Sequence, residues 1–177
     1  RFVPALTALV GGGGSFTRAF AARGLQSVKD SSAVGALILR AQGWQEDPGA
    51  AVAAIRALGQ LGAPEATPVV RAILQARLLD PGLRLETVAA LGLLRDTRSV
   101  DRMIELAADP WPPMRAAALR ALRQIDPDTF LMVLSGLDAD PDWSVRAALA
   151  SIFGTLDPAV AVLRLTAMLS DRDVRVI

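Results

Sequence analysis

The dipeptide Asp-Pro recurs at Asp47-Pro48, Asp80-Pro81, Asp109-Pro110 and Asp140-Pro141, and Asp171 follows in the same register, at intervals of 33, 29, 31 and 31 residues. A period in this range restricts the chain to an array of like units, because one supersecondary element of that size covers its apolar face only by stacking on the next. An apolar residue followed by Arg accompanies the later copies: Leu83-Arg84, Met114-Arg115, Val145-Arg146 and Val174-Arg175. Counted from that apolar position, Leu or Phe stands eight residues on at Leu58, Leu91, Leu122 and Phe153, and an aliphatic residue eleven on at Leu61, Leu94, Ile125 and Leu156. Arg18, Leu25, Val28 and Asp30 continue the register towards the N-terminus.

Offsets 0, 4, 8 and 11 share one face of a helix with 3.6 residues per turn, so this part of each unit is an amphipathic helix, B. Apolar, helix-length segments separate the B helices: Phe2 to Val10, Ala33 to Trp44, Pro64 to Leu79, Arg98 to Ala108, Asp128 to Leu137 and Pro158 to Leu169. These are the A helices. Asp-Pro suits the A-to-B corner, since Pro is tolerated in a first helical turn and a carboxylate there accepts orphan N–H groups and complements the helix dipole. No window alternates like a strand beside a hairpin signal, so a sheet is not expected.

Composition narrows the function. A chain of 177 residues that is 52% hydrophobic and 21% charged has enough apolar surface to bury a core and is not expected to be disordered. Its apolar runs are too short to span a bilayer, so a cytoplasmic location is expected. Histidine and cysteine are absent, which removes the usual general base, the commonest metal ligand, thiol chemistry and disulfides. No metal, cofactor or catalytic residue is expected. The Gly11 to Gly14 run lacks the Lys-Ser/Thr of a phosphate-binding loop, and Ser15, Ser144 and Ser151 have no His to activate them. A net charge of +1 selects no partner. The chain starts without Met and stops one turn into a B helix, without polar capping repeats, so it is expected to be a piece of a longer protein flanked on both sides.

The stretch D-P-D-W-S-V-R-A-A-L-A-S-I-F-G-T-L-D-P at Asp140 to Pro158 and its relative D-P-W-P-P-M-R-A-A-A-L-R-A-L-R-Q-I-D-P at Asp109 to Pro127 resemble the short bacterial HEAT repeats, also called phycobilisome-lyase HEAT-like repeats. The likeness is clear from Asp47 onward. It implies an all-α fold, an α-α superhelix (α-solenoid) of about five and a half helix-pair repeats in a single domain over 1–177, with pairs at about 1–30, 31–62, 63–95, 96–126, 127–157 and 158–177. It also implies that the Arg after the apolar anchor pairs with turn aspartates of its own or the adjacent repeat. Arg84, Arg115 and Arg146 with Asp80, Asp109 and Asp140 form that structural ladder, continued by Arg18 and Arg175. Asp30, Asp96, Asp126 and Asp157 are expected to cap helices at the B-to-A corners.

HEAT solenoids generally line their concave surface with B helices, so the resemblance puts Arg23, Arg56, Gln60, Arg120, Arg123 and Gln124 on a concave cationic strip, with Gln26 nearby and the acids segregated to the corners. No aromatic cluster is expected on that face. Trp111 and Trp143, like Trp44, lie at A-to-B corners, where they either anchor a partner or staple a loop. The expected function is a non-catalytic scaffold that binds another protein, acidic or extended, through the B face. The alternatives are a phosphate-backbone binder using the Arg strip and a bilin-lyase-like chromophore-binding subunit. The register itself is testable by chemical denaturation: Leu122→Ala or Phe153→Ala should cost about 2–5 kcal/mol through the cavity it leaves, and unchanged stability would break the register.

Overall fold

A computed structural model describes residues 2–76, 79–136 and 138–177. The expected end of an A helix at Leu137, the Arg77-Leu78 portion of another and Arg1 of the first pair lie outside the described residues. Among the described residues every regular element is helical. The helices group into two units, residues 1–99 and 100–177.

In residues 1–99 the A helices are α1 (Val3–Gly11), α3 (Val34–Gln42) and α5 (Thr67–Leu74), and the B helices are α2 (Ser15–Val28), α4 (Pro48–Leu61) and α6 (Pro81–Leu93). Short 3-10 turns at Ser31–Ala33 and Pro64–Ala66 lead into α3 and α5. Each A helix packs on its B helix, and α4 packs between α2 and α6. The last contact is close because one residue lacks a side chain. A Cβ at Gly59 would lie 3.0 Å from the Ala90 Cα and 3.1 Å from its Cβ. The B helices end on left-handed residues, Lys29, Gly62 and Arg95. At the last two, the following N–H groups of Ala63 and Asp96 reach back to the Leu58 and Leu91 carbonyls and close the helix end.

Residues 100–177 hold α7 (Val100–Leu106), α8 (Pro112–Ile125), α9 (Pro127–Ser135), α10 (Trp143–Phe153) and α11 (Pro158–Met168), again alternating A and B. Residues 171–177, expected to start a further B helix, form bends and turns. Val174 is 80% exposed, and Val176 is buried in its place.

The periodic stripe is the core. Leu83, Met114 and Val145 at offset 0 and Leu58, Leu91 and Leu122 at offset 8 are fully buried, and Phe153 nearly so. Full burial of one such side chain contributes about 1.5–3 kcal/mol. Offset 11 is weaker: Ile125 is buried, but Leu61, Leu94 and Leu156 are half-buried and Val28 is exposed. Offset 11 lies at or just past the end of each B helix: α2, α4 and α8 end on Val28, Leu61 and Ile125, while α6 and α10 stop before Leu94 and Leu156.

The Asp-Pro corners split into two kinds. Asp47, Asp80, Asp126 and Asp157 each precede a Pro at the first helical position and accept backbone N–H groups as N-caps of α4, α6, α9 and α11. At Asp109 and Asp140 the helix starts later than expected, at Pro112 and Trp143. There the carboxylate accepts the N–H two residues on, from Trp111 at 2.9 Å and Asp142 at 2.8 Å. Asp171 does the same with the Asp173 N–H. Such turns leave most of the carboxylate free for a second partner.

An arginine one repeat earlier takes that place. Arg115 forks onto Asp140, both N–O distances 2.7 Å, while its Nη1 donates to the Asp109 carbonyl at 2.9 Å. Arg146, 5% exposed, repeats this, with Nε and Nη2 on Asp171 at 2.7 and 2.8 Å and Nη1 on the Asp140 carbonyl at 2.8 Å. In residues 1–99, Arg18 donates through Nε to Asp47 at 2.8 Å and through Nη1 to the Gly13 carbonyl at 2.6 Å. Each guanidinium thus ties its own turn to the next. The planar fork of Arg suits this geometry. Position 51 carries Ala51 where the register has Arg; separately, Arg71 of α5 pairs with buried Asp96 in the turn after α6, Nε to Oδ2 at 2.7 Å.

Burial pushes Asp47 and Asp140 up, but hydrogen bonds from Ser15, Ala50 and Arg18 on the first, and from Arg115 and Asp142 on the second, bring both below the ordinary carboxylate range. The Arg146 hydrogen bond lowers Asp171, against desolvation. Because the folded values lie below the unfolded ones, this stabilisation is complete above the unfolded value and is lost as pH falls through the folded values. The thermal midpoint is therefore expected to be flat from about pH 7 to about pH 5 and to fall steeply below about pH 4. Asp140→Asn should lower the midpoint at neutral pH and flatten the acid limb, both measurable by circular dichroism melts.

Candidate functional site

The B-helix surface has a different character in each unit. In residues 1–99 Arg23 is exposed on α2. Arg56 on α4 is not a free cation: it donates through Nε and Nη2 to one carboxylate oxygen of Glu86 on α6, the Nε at 3.0 Å. That hydrogen bond, against desolvation and with the charge of Glu86 assisting, raises the Arg56 pKa. The Gln60 amide oxygen accepts from Gln26 Nε2 at 2.7 Å, joining α4 to α2. The segregation of acids to corners therefore fails at Glu86, which sits in the middle of a B helix. The signal was present in the sequence, since Glu86 stands 30 residues after Arg56 and occupies the next repeat.

The expectation of a B face without aromatics also fails. Phe16 and Phe20, 83% and 65% exposed, stack on α2 with ring centroids 6.5 Å apart. They lie four residues apart and so one above the other on the helix. With Arg23 a further three residues on, they make that face amphipathic. They fall outside the helix offsets that carry Arg.

In residues 100–177, Arg120, Arg123 and Gln124 of α8, Ser151 and Ile152 of α10, and Thr155 just beyond it line a cleft of about 200 Å³. Arg120 and Gln124 are exposed and Arg123 is half-buried. The Nε of Arg123 is buried without a hydrogen-bond partner. Among the described residues no carboxylate pairs with Arg120 or Arg123. A buried donor left unmet by its own chain costs free energy that an incoming acceptor recovers.

Trp111 is the N-cap residue of α8 and is 36% exposed. Trp143 opens α10, and the Arg175 guanidinium lies 3.8 Å from its ring centroid while also donating to Asp173. That pairing holds Asp173 at about 2. Arg175 thus serves its own turn and the Trp143 ring. Asp80 caps α6, Arg84 lies half-buried one residue beyond Leu83, and Asp109 accepts the Trp111 N–H. Gly13 takes a left-handed conformation, φ 73°, in the loop between α1 and α2. Among the described residues no group of His, Cys, Asp or Glu could hold a metal ion, and no helix is long and apolar enough to cross a membrane.

Residues 3–78 match the family model for HEAT repeats. Over those residues the fold is that of HEAT repeats. Among solved structures, the complex of CpcE and CpcF of phycocyanin lyase from Nostoc sp. PCC7120 is similar, with a TM-score of 0.71 and 24% identity, over 98% of this chain and 72% of that one. A crystal structure of an engineered protein is similar at a TM-score of 0.57 and 20% identity, over 99% of this chain and 92% of that one. No curated protein matches this chain.

Proposed function

We propose that this HEAT-repeat chain is a non-catalytic scaffold that binds an acidic segment of another protein on the B-helix face of residues 100–177. The observation that carries the reading is the cleft of Arg120, Arg123 and Gln124, where two guanidiniums lack carboxylate partners among the described residues and one donor is buried unmet. Arg56 and Gln60 are already satisfied within the chain, so they act as supports between helices. A chain without His or Cys also has few groups to offer covalent or acid-base chemistry. A subunit role in a chromophore lyase is the second reading, favoured by the TM-score of 0.71 over 98% of the chain to the complex of CpcE and CpcF.

At low salt, a labelled deca-glutamate peptide should bind the chain, and Arg120→Glu with Arg123→Glu should weaken it about tenfold or more without loss of helicity. Arg56→Gln should leave capture unchanged. Undiminished binding by the double variant would remove this face from consideration. Tighter capture of a single-stranded oligonucleotide, with a steep salt slope, would favour the phosphate-backbone alternative. The lyase reading is tested separately by titrating a free bilin: a shifted visible absorption band supports it, and an unchanged spectrum rejects it.

A further inference from the structure

Residues 100–177 enclose a second, larger opening of about 480 Å³, walled by Leu119 of α8, Leu134 of α9, Val145, Leu149 and Phe153 of α10 and Met168 of α11. Its size is that of small-molecule pockets, and its walls are mostly apolar. Water gains little in such a space because it finds few hydrogen-bond partners.

The charges at its edge sort themselves. Asp140 is taken by Arg115, and Asp171 by Arg146. Arg164 and Asp138 remain. Arg164 is half-buried on the wall, its guanidinium carbon 5.7 Å from the Phe153 ring centroid, and its one hydrogen bond is a long 3.4 Å contact to the Val160 carbonyl of its own helix. No carboxylate among the described residues pairs with it. Asp138 is exposed, so water screens its field far more than that of a guanidinium held against an aromatic wall. The pocket is therefore apolar within and effectively cationic at one edge. A ligand that matches both features has an apolar chain and a single anionic end.

We propose that this pocket binds the chain of a free fatty carboxylate, with the carboxylate on the Arg164 guanidinium. The site shares no residue with the Arg120 and Arg123 cleft and does not depend on the scaffold reading. Isothermal titration of the 177-residue chain with octanoate, decanoate and dodecanoate, below their micelle concentrations, tests it. Affinity should rise about fourfold for each added methylene while the chain still fits. Arg164→Gln should weaken dodecanoate about fivefold or more at unchanged helicity, and dodecyltrimethylammonium should bind no more tightly to the native chain than to this variant. Ala167→Phe, which projects a ring into the opening, should abolish saturable binding. The proposal is overturned if Arg164→Gln binds dodecanoate as the native chain does, if the cationic amphiphile is preferred, or if dodecanoate shows no saturable binding.

Discussion

Three arginines of the repeat register, Arg18, Arg115 and Arg146, each bridge two turns and so fix one helix pair against the next. A helix pair of this kind presents an apolar stripe with little to fix its sliding or rotation against the next pair, because hydrophobic contact is non-directional. Arg18, Arg115 and Arg146 supply the missing direction. Each donates to a carbonyl of its own turn and to a carboxylate that opens the next repeat. At Asp109 and Asp140 the helix starts later, at Pro112 and Trp143, and the Asp140 carboxylate takes the Arg115 fork as well as the Asp142 N–H. Ala51 breaks the series, and the Arg71–Asp96 pair is a separate tie, from an A helix to the turn after α6.

Internal pairing also decides what is left for binding. Cations spent on Asp47, Glu86, Asp96, Asp140 and Asp171 are parts of the fold, and their charges are compensated at short range. Among the described residues of 100–177, those without a carboxylate partner are Arg120 and Arg123 on the B face, Arg164 beside an apolar opening, and Arg172, which donates to the Pro141 carbonyl. A nearly neutral chain total hides this distribution. The physical contrast is between guanidiniums whose donors are met and those whose donors are not, and only the latter gain substantially from an incoming anion.

The two aromatics on α2 and the apolar opening among α8 to α11 show where periodic reasoning loses resolution. Offsets derived from a repeat describe what the repeats share. Phe16 and Phe20 occur in one helix alone, and the opening arises from how α9, α10 and α11 sit around each other, which no offset encodes.

By itself the sequence determined the helical class, the alternation of A and B helices, and most of the core. Helix periodicity is a local property of side-chain order, and burial of offsets 0 and 8 follows from it directly. The acid caps at Asp30, Asp47, Asp126 and Asp157 were equally legible, since a cap acts within three residues of itself. Tertiary structure alone decided the rest: that Arg56 is neutralised by Glu86, that offset 11 falls at helix ends and is unevenly buried, that Asp171 to Ile177 turns without forming a helix, and that Arg123 and Arg164 keep donors in hand. Each of these depends on distances between residues far apart in the chain, or on where a helix ends against its neighbours, and side-chain order along one helix carries neither.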